Sequence, residues 1–149
     1  PYFVKAFKKR WYVVAYSPGT ADIRCSALDR MEDVTISEEV FKMPEDLDPV
    51  EYFKDCFGII NIKGAEVQKV LLRVDGFQSN YIRNLPLHSS QKEIKHTDEY
   101  SIFEYHLKPE LDFEQEIFSN MDTMEVLEPQ WLREEIAQRL KNLTGKYQI

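Results

Sequence analysis

Only five glycines, two cysteines and no apolar run approaching the ~20 residues of a membrane helix occur in this 149-residue sequence. Collagen-like and low-complexity classes need far more glycine and proline, and a disulfide framework needs more cysteine, so all three are excluded. No basic-then-apolar leader is visible, and no membrane partner is expected. Walker, GxGxxG, GxSxG and HExxH patterns are missing, which removes the common nucleotide-hydrolysing, hydride-transferring and zinc-hydrolase motifs. Basic charge is also short: 26 acidic against 19 basic residues give −7, the wrong sign for a protein that coats nucleic acid. Cys25 and Cys56 lie in no CxxC and read as small buried apolar residues in a reducing, cytoplasmic setting.

What is present is unevenly distributed. Residues 1–30 carry Lys5, Lys8, Lys9, Arg10, Arg24 and Arg30 against Asp22 and Asp29, a local +4, so the rest of the chain sums to −11. The aromatic, β-branched stretch 10–16 ends at Ser17-Pro18-Gly19-Thr20 and is followed by 23–28, a strand, a turn and a strand. Both faces of the first are apolar, so it is expected to be central in a small barrel or sandwich. A third short strand is predicted over 31–36, with Val34 and Ile36 in phase. Three strands cannot close a barrel, and the sequence begins at Pro1, so it reads as the C-terminal part of a longer protein whose remaining strands lie upstream.

A proline- and acid-rich passage at 43–49 forms a linker, and Asp48-Pro49 supplies a cap and a first-turn proline for a short helix through Val50, Phe53, Cys56 and Phe57, stopped at Gly58. From residue 65 the pattern alternates: strand 66–74, helix 77–85 in phase through Phe77, Tyr81 and Leu85, strands 91–96 and 100–107, a helix opened by Pro109, strand 121–127, and a last helix after Pro129. That last helix carries an apolar stripe of Trp131, Leu132, Ile136, Leu140 and Leu143. The order β-α-β-β-α-β-α is the split βαβ of ferredoxin-like domains with one helix added. The expected class is α+β, in three parts: 1–43 a β segment, 44–64 linker and short helix, 65–149 a complete domain.

The sharpest constellation is Trp11, Tyr12 and Tyr16 beside Arg10, Arg24 and Arg30, since aromatic faces with neighbouring guanidinium groups suit stacked bases and phosphates. The competing reading is that the aromatics are core and Asp29 pairs with Arg24 or Arg30. The loop at 87–91, with His88 and Gln91, is polar without net charge; it is suited either to hydrogen-bonding a ligand, a phosphate or another subunit, or to capping its own backbone. His88, His96 and His106 show no ligand spacing, so no metal site is expected.

Lys9-Arg10-Trp11-Tyr12-Val13, then Arg24 and Leu28-Asp29-Arg30-Met31, resembles the WYL domain of bacterial transcriptional regulators. Residues 66–144, ending in Val126-Leu127-Glu128-Pro129 and Leu132-Arg133-Glu134-Glu135-Ile136, are similar to the WCX domain that usually follows it. The resemblance implies an SH3-like or Sm-like barrel that senses a nucleotide or single-stranded nucleic-acid effector through a basic and aromatic face. It implies a WCX domain assisting ligand contact or dimerisation, and operator DNA bound through an N-terminal helix-turn-helix outside this sequence. By that resemblance Tyr12, Arg24 and Arg30 face the ligand and Trp11 is core, with Arg10, His88 and Gln91 as further candidates. Cys25-Ser26-Ala27 stands where many members carry an aromatic residue and a further arginine. Beside this effector sensor stands the alternative of a homodimerisation module without a small ligand, motivated by the stripe on the last helix. A hydrolase using His88 finds no supporting acid–base spacing, so no enzyme and no cofactor are expected.

Overall fold

Alternating burial along the first 27 residues builds an antiparallel sheet of order β1-β2-β3 from β1 (Phe3–Phe7), β2 (Arg10–Ser17) and β3 (Asp22–Ala27) in the computed structural model, which describes residues 1–148. The central place of β2 agrees with its two apolar faces. Strand β1 has no counterpart in the sequence reading, because the turn joining it to β2 lacks the usual glycine or asparagine. Lys8 (φ 44°) and Lys9 (φ 65°) both take left-handed conformations there, the geometry of a tight hairpin turn matched to strand twist.

The strand expected over 31–36 does not form. After a 3-10 turn at Leu28–Arg30 the chain runs on unpaired, and Val34 is 75% and Ile36 fully exposed. Alternating apolar residues make a strand only where a sheet edge accepts their backbone hydrogen bonds. Trp11, expected in the core, is 56% exposed. It lies on the face of β2 opposite Val14, and the core forms on the Val14 side, where Phe53 and Cys56 of the following segment cover it.

Asp48 caps α1 (Pro49–Phe53), its carboxylate accepting from the Val50 and Glu51 N–H groups at 2.8 and 2.9 Å. The helix is shorter than predicted and stops before Cys56, which instead pairs in parallel with Lys108. The remaining order matches the prediction: β4 (Gln68–Asp75), α2 (Gly76–Asn84), β5 (Lys92–His96), β6 (Tyr100–Leu107), α3 (Leu111–Ser119), β7 (Met124–Glu128) and α4 (Gln130–Tyr147). The strands form a four-stranded antiparallel sheet in the order β5-β6-β4-β7.

One face of this sheet, with Val70, Leu72, Phe103, Tyr105 and Val126, shares a single core with Ile82 of α2, Phe113 and Ile117 of α3, and Leu132 and Ile136 of α4. The phase read for α2 was the wrong one. Phe77, Tyr81 and Leu85 are 75%, 59% and 78% exposed, while Ser79 and Ile82 are buried. Ser79 fits the core because its hydroxyl donates to the Val74 and Asp75 carbonyls. Gly76 opens α2 where a Cβ would stand 2.6 Å from the Asp98 carbonyl oxygen, so only glycine permits that approach.

A ladder of edge-to-face aromatic rings runs from the first sheet into the second core. Phe7 meets Phe57 with centroids 5.7 Å apart, Phe57 meets Phe113 at 5.5 Å, and Phe113 meets Tyr105 at 6.2 Å. Beside it the buried Asp112 carboxylate accepts from the Ile59 and Ile60 N–H groups at 2.9 and 3.1 Å, tying the connecting segment to the start of α3. Lys8 and Glu116 add an ion pair across the same seam at 2.8 Å.

Candidate ligand-binding site

Strand alternation sorts the predicted residues onto two faces. Directly paired residues of an antiparallel sheet share a face, so the pairs Phe7↔Arg10, Tyr12↔Ala27 and Val14↔Cys25 place Arg10 and Tyr12 on the core side. Arg24 pairs with Ala15 and falls one residue out of phase, on the opposite side. The Tyr12, Arg24 and Arg30 set is therefore divided. Tyr12, Arg10 and Arg30 line one cleft of about 780 Å³, whose far wall is Leu111, Asp112 and Gln115 of α3. Arg24 lines a neighbouring cleft of about 410 Å³ with Tyr52, Asn61 and Lys63.

Within the larger cleft the guanidinium of Arg10 is held by Asp29 at 3.0 Å, so Asp29 pairs with neither of the arginines the sequence suggested. Both partners are about half exposed, and such a pair is worth ~0–1 kcal/mol, leaving Arg10 free to exchange it for a ligand phosphate. Arg30 has no ion pair among the described residues. The α3 wall is what the sequence reading missed: Gln115 follows Tyr12 by more than a hundred residues, and only the fold brings them together.

His88 and Gln91 do not join this cleft. Gln91 is occupied by its own loop and the elements beside it: its Oε1 accepts from the Leu87 N–H at 3.0 Å and from the Tyr105 hydroxyl of β6 at 2.9 Å, and its Nε2 donates to the Ile82 carbonyl of α2 at 2.9 Å. Of the two readings of the 87–91 loop, the geometry is that of a loop capping its own backbone. The hydrogen-bond demand of the buried Tyr105 and of the end of α2 meets in one amide. His88 lines a third cleft of about 640 Å³ against Phe3, Phe53 and Pro86. Its Nε2 donates to the Lys54 carbonyl at 2.8 Å, which only accepts, so Nδ1 is the acceptor from Ser90 at 2.8 Å. With both nitrogens engaged in this tautomer, the ring has no lone pair to offer a substrate as a general base.

Burial pushes the His88 pKa below the ordinary 6.5, against weaker opposing contributions from the Lys54 carbonyl and Asp55. Between the depressed folded value and 6.5 the unfolded chain holds more protons, so stability rises with pH through that window and is fully present above it. Against His88→Gln, the wild-type protein is expected to lose urea resistance faster between about pH 7 and pH 5. Parallel midpoints for the two proteins across that range would show that the His88 environment does not perturb its titration.

Both cysteines are free, and burial holds the Cys56 thiol up at about 11. Among the described residues no group of three or more histidine, cysteine or carboxylate side chains is arranged to hold a metal ion. No helix among them is long and apolar enough to cross a membrane. The apolar stripe of α4 is used internally at Leu132 and Ile136, while Trp131 is 45% exposed.

Comparison with known families finds two matches: the WYL domain over residues 1–36 and the WCX domain over residues 66–144. No curated protein matches the chain.

Proposed function

Because the chain belongs to the family of WYL and WCX domains found in WYL-type transcriptional regulators, we propose that it is the ligand-sensing C-terminal region of such a regulator and takes a nucleotide or single-stranded nucleic-acid effector in the Arg10, Tyr12 and Arg30 cleft. Both domains are regulatory rather than enzymatic types. The observation that carries the reading is convergence: two guanidinium groups and a phenol meet in one cleft on an otherwise acidic protein. A phenol ring offers a stacking surface for a base, and guanidinium groups bind phosphate through paired N–H donors.

In this reading residues 1–43 are part of an SH3-like or Sm-like barrel and residues 65–149 a ferredoxin-like domain. The strand order β5-β6-β4-β7 with every neighbour antiparallel supports the second assignment. The cleft lies between the first sheet and α3, so an effector touching both walls binds differently when the two units shift. That difference in affinity is what moves a conformational equilibrium. Transmission runs to an attached helix-turn-helix on operator DNA in a bacterial, cytoplasmic homodimer. The exposed Phe77 and Tyr81 on α2, with Leu85 just past its end, are the apolar face available for pairing.

Fluorescence anisotropy with labelled oligothymidylate and competing nucleotides tests the assignment. Arg10→Ala/Arg30→Ala is expected to weaken binding about tenfold or more, ~1.4 kcal/mol. Arg24→Ala, on the other face, is expected to stay within about twofold (~0.4 kcal/mol). Unchanged binding by the double variant would remove these arginines from the site.

A further inference from the structure

Strand alternation puts Lys5 where a charge is costly. It pairs with Tyr12 across β1 and β2 and falls in line with Phe3 and Phe7, on the side of the sheet where Val14, Phe53 and Cys56 form the first core. A lysine on such a face is ordinarily answered by a carboxylate. Lys5 is partly buried and has no ion pair among the described residues, on a chain with 26 acidic residues against 19 basic ones. Lys8, Lys54 and Lys69 each hold a carboxylate at 2.8 Å. The Lys5 ammonium instead lies over the Phe53 ring, 4.4 Å from its centroid. A ring quadrupole offers no charge-assisted hydrogen bond, so the donors of the ammonium remain open to an anion.

That ammonium lines the cleft of about 640 Å³ beside β1, an edge strand, and the volume is in the range of small-molecule sites. Phe3, Phe53, Phe57, Val50 and Leu87 make much of its wall, and no aspartate or glutamate among the described residues lines it. Cys56 in the same wall stays a neutral thiol, because burial lifts it to about 11 against the weaker opposing pull of Lys108 and Lys5. Lys54 at the rim already holds Glu51. The cleft thus presents one unanswered cation among apolar walls. It suits a ligand with one negative charge and an apolar body, whereas the several charges of a nucleotide would be left desolvated against rings.

We infer that this cleft is a second ligand site, separate from the Arg10, Tyr12 and Arg30 cleft, and that it takes a small amphipathic monocarboxylate. The apolar body lies against Phe53, Phe57 and Leu87, and the carboxylate accepts from Lys5 Nζ in place of the ring contact.

Titration of the ¹⁵N-labelled 149-residue chain with 4-phenylbutyrate, octanoate and the neutral 4-phenylbutan-1-ol, followed by amide chemical shifts, tests the site. The Lys5, Phe53 and Leu87 amides are expected to shift saturably, with Kd of about 1 mM for acids this small. The alcohol is expected to bind about tenfold more weakly than 4-phenylbutyrate, and Lys5→Met to abolish that difference while keeping the alcohol within about twofold. Val50→Glu, at a position 75% exposed on the rim, places a carboxylate at the mouth and is expected to weaken the acids about threefold or more without affecting the alcohol. Far-UV circular dichroism and urea midpoints check that both variants keep the fold. The tighter of the two acids names the body as aromatic or aliphatic. Equal affinity of acid and alcohol, or unchanged acid affinity in Lys5→Met, overturns the carboxylate assignment. Shifts confined to Arg10, Tyr12 and Arg30 overturn it too and place the anion in the first cleft. Absence of saturable shifts up to about 10 mM overturns the site itself. Failure of oligothymidylate to bind while these shifts persist would sink the effector reading above and leave this site standing.

Discussion

Phe113→Ala is expected to lower the unfolding free energy by about 3–5 kcal/mol, the cost of removing a fully buried aromatic ring from a packed core. Domains of this size hold ~5–15 kcal/mol in total, so the variant should be partly unfolded at 37 °C and show a greatly reduced urea midpoint at 25 °C. The ring does more than fill space. It touches Phe57 on one side and Tyr105 on the other, and through Phe57 it reaches Phe7 of the first sheet. Its loss should therefore open the seam between the units as well as the core. Phe113→Leu keeps most of the volume and should recover more than half of the loss. An alanine variant within about 1 kcal/mol of wild type would show that the two cores do not depend on the ladder.

Asp112→Ala is expected to cost about 2–4 kcal/mol by a different route. The carboxylate is 5% exposed, and its Oδ2 is the acceptor for two successive backbone N–H groups, at Ile59 and Ile60, while Oδ1 accepts from Phe113 N–H. Each buried donor left unpaired costs about 1–3 kcal/mol, less what water recovers. Glycine at 58 belongs to the same junction, where an added Cβ would stand 2.5 Å from the Phe7 ring and 2.6 Å from Asp112 Oδ2. Asp112→Asn keeps an oxygen for Ile59 and Ile60 but turns an amide N–H toward Phe113, and should lose roughly half as much. Hydrogen exchange reads the mechanism directly. The Ile59 and Ile60 amides should lose protection in the alanine variant before β4 and β6 do, and retained protection there would show that another acceptor takes over.

These two residues explain why the second unit was legible and the seam was not. Element order from residue 66 onward follows local signals: alternation in β4 and β6, Pro129 before α4, and the Leu132 and Ile136 spacing. The Asp48-Pro49 start of α1 is equally local. The errors arise where neighbours decide. Val34 and Ile36 alternate as strand residues do, yet no edge pairs with them. Phe77, Tyr81 and Leu85 are in helical phase, yet the sheet meets the Ser79 and Ile82 side, because a serine that returns its hydroxyl to the backbone packs closely where a large ring does not. Strand β1 was hidden by a turn made from two lysines instead of the usual asparagine and glycine. Asp112 looks in sequence like any first-turn helix acid, and nothing nearby indicates the two amides it holds.

The candidate site divides in the same manner. Counting charge along the chain finds the basic cluster in residues 1–30, and strand alternation is enough to separate Arg24 from Arg10 and Tyr12 once the strands are known. The ordered motifs around Trp11-Tyr12, Leu28-Asp29-Arg30 and Leu127-Glu128-Pro129 carried the family resemblance, and sequence alone also determined the α+β class, the order of elements in the second unit and an acidic body beside a basic first segment, because composition and periodicity are properties of neighbouring residues. Tertiary structure decided which arginines share a cleft with Tyr12, that His88 and Gln91 tie the 87–91 loop to Lys54, Ile82 and Tyr105, and that one face of α3 closes the cleft. Those outcomes depend on which surfaces bury each other, a choice made by contacts between residues distant in the chain, about a hundred positions apart where α3 faces Tyr12.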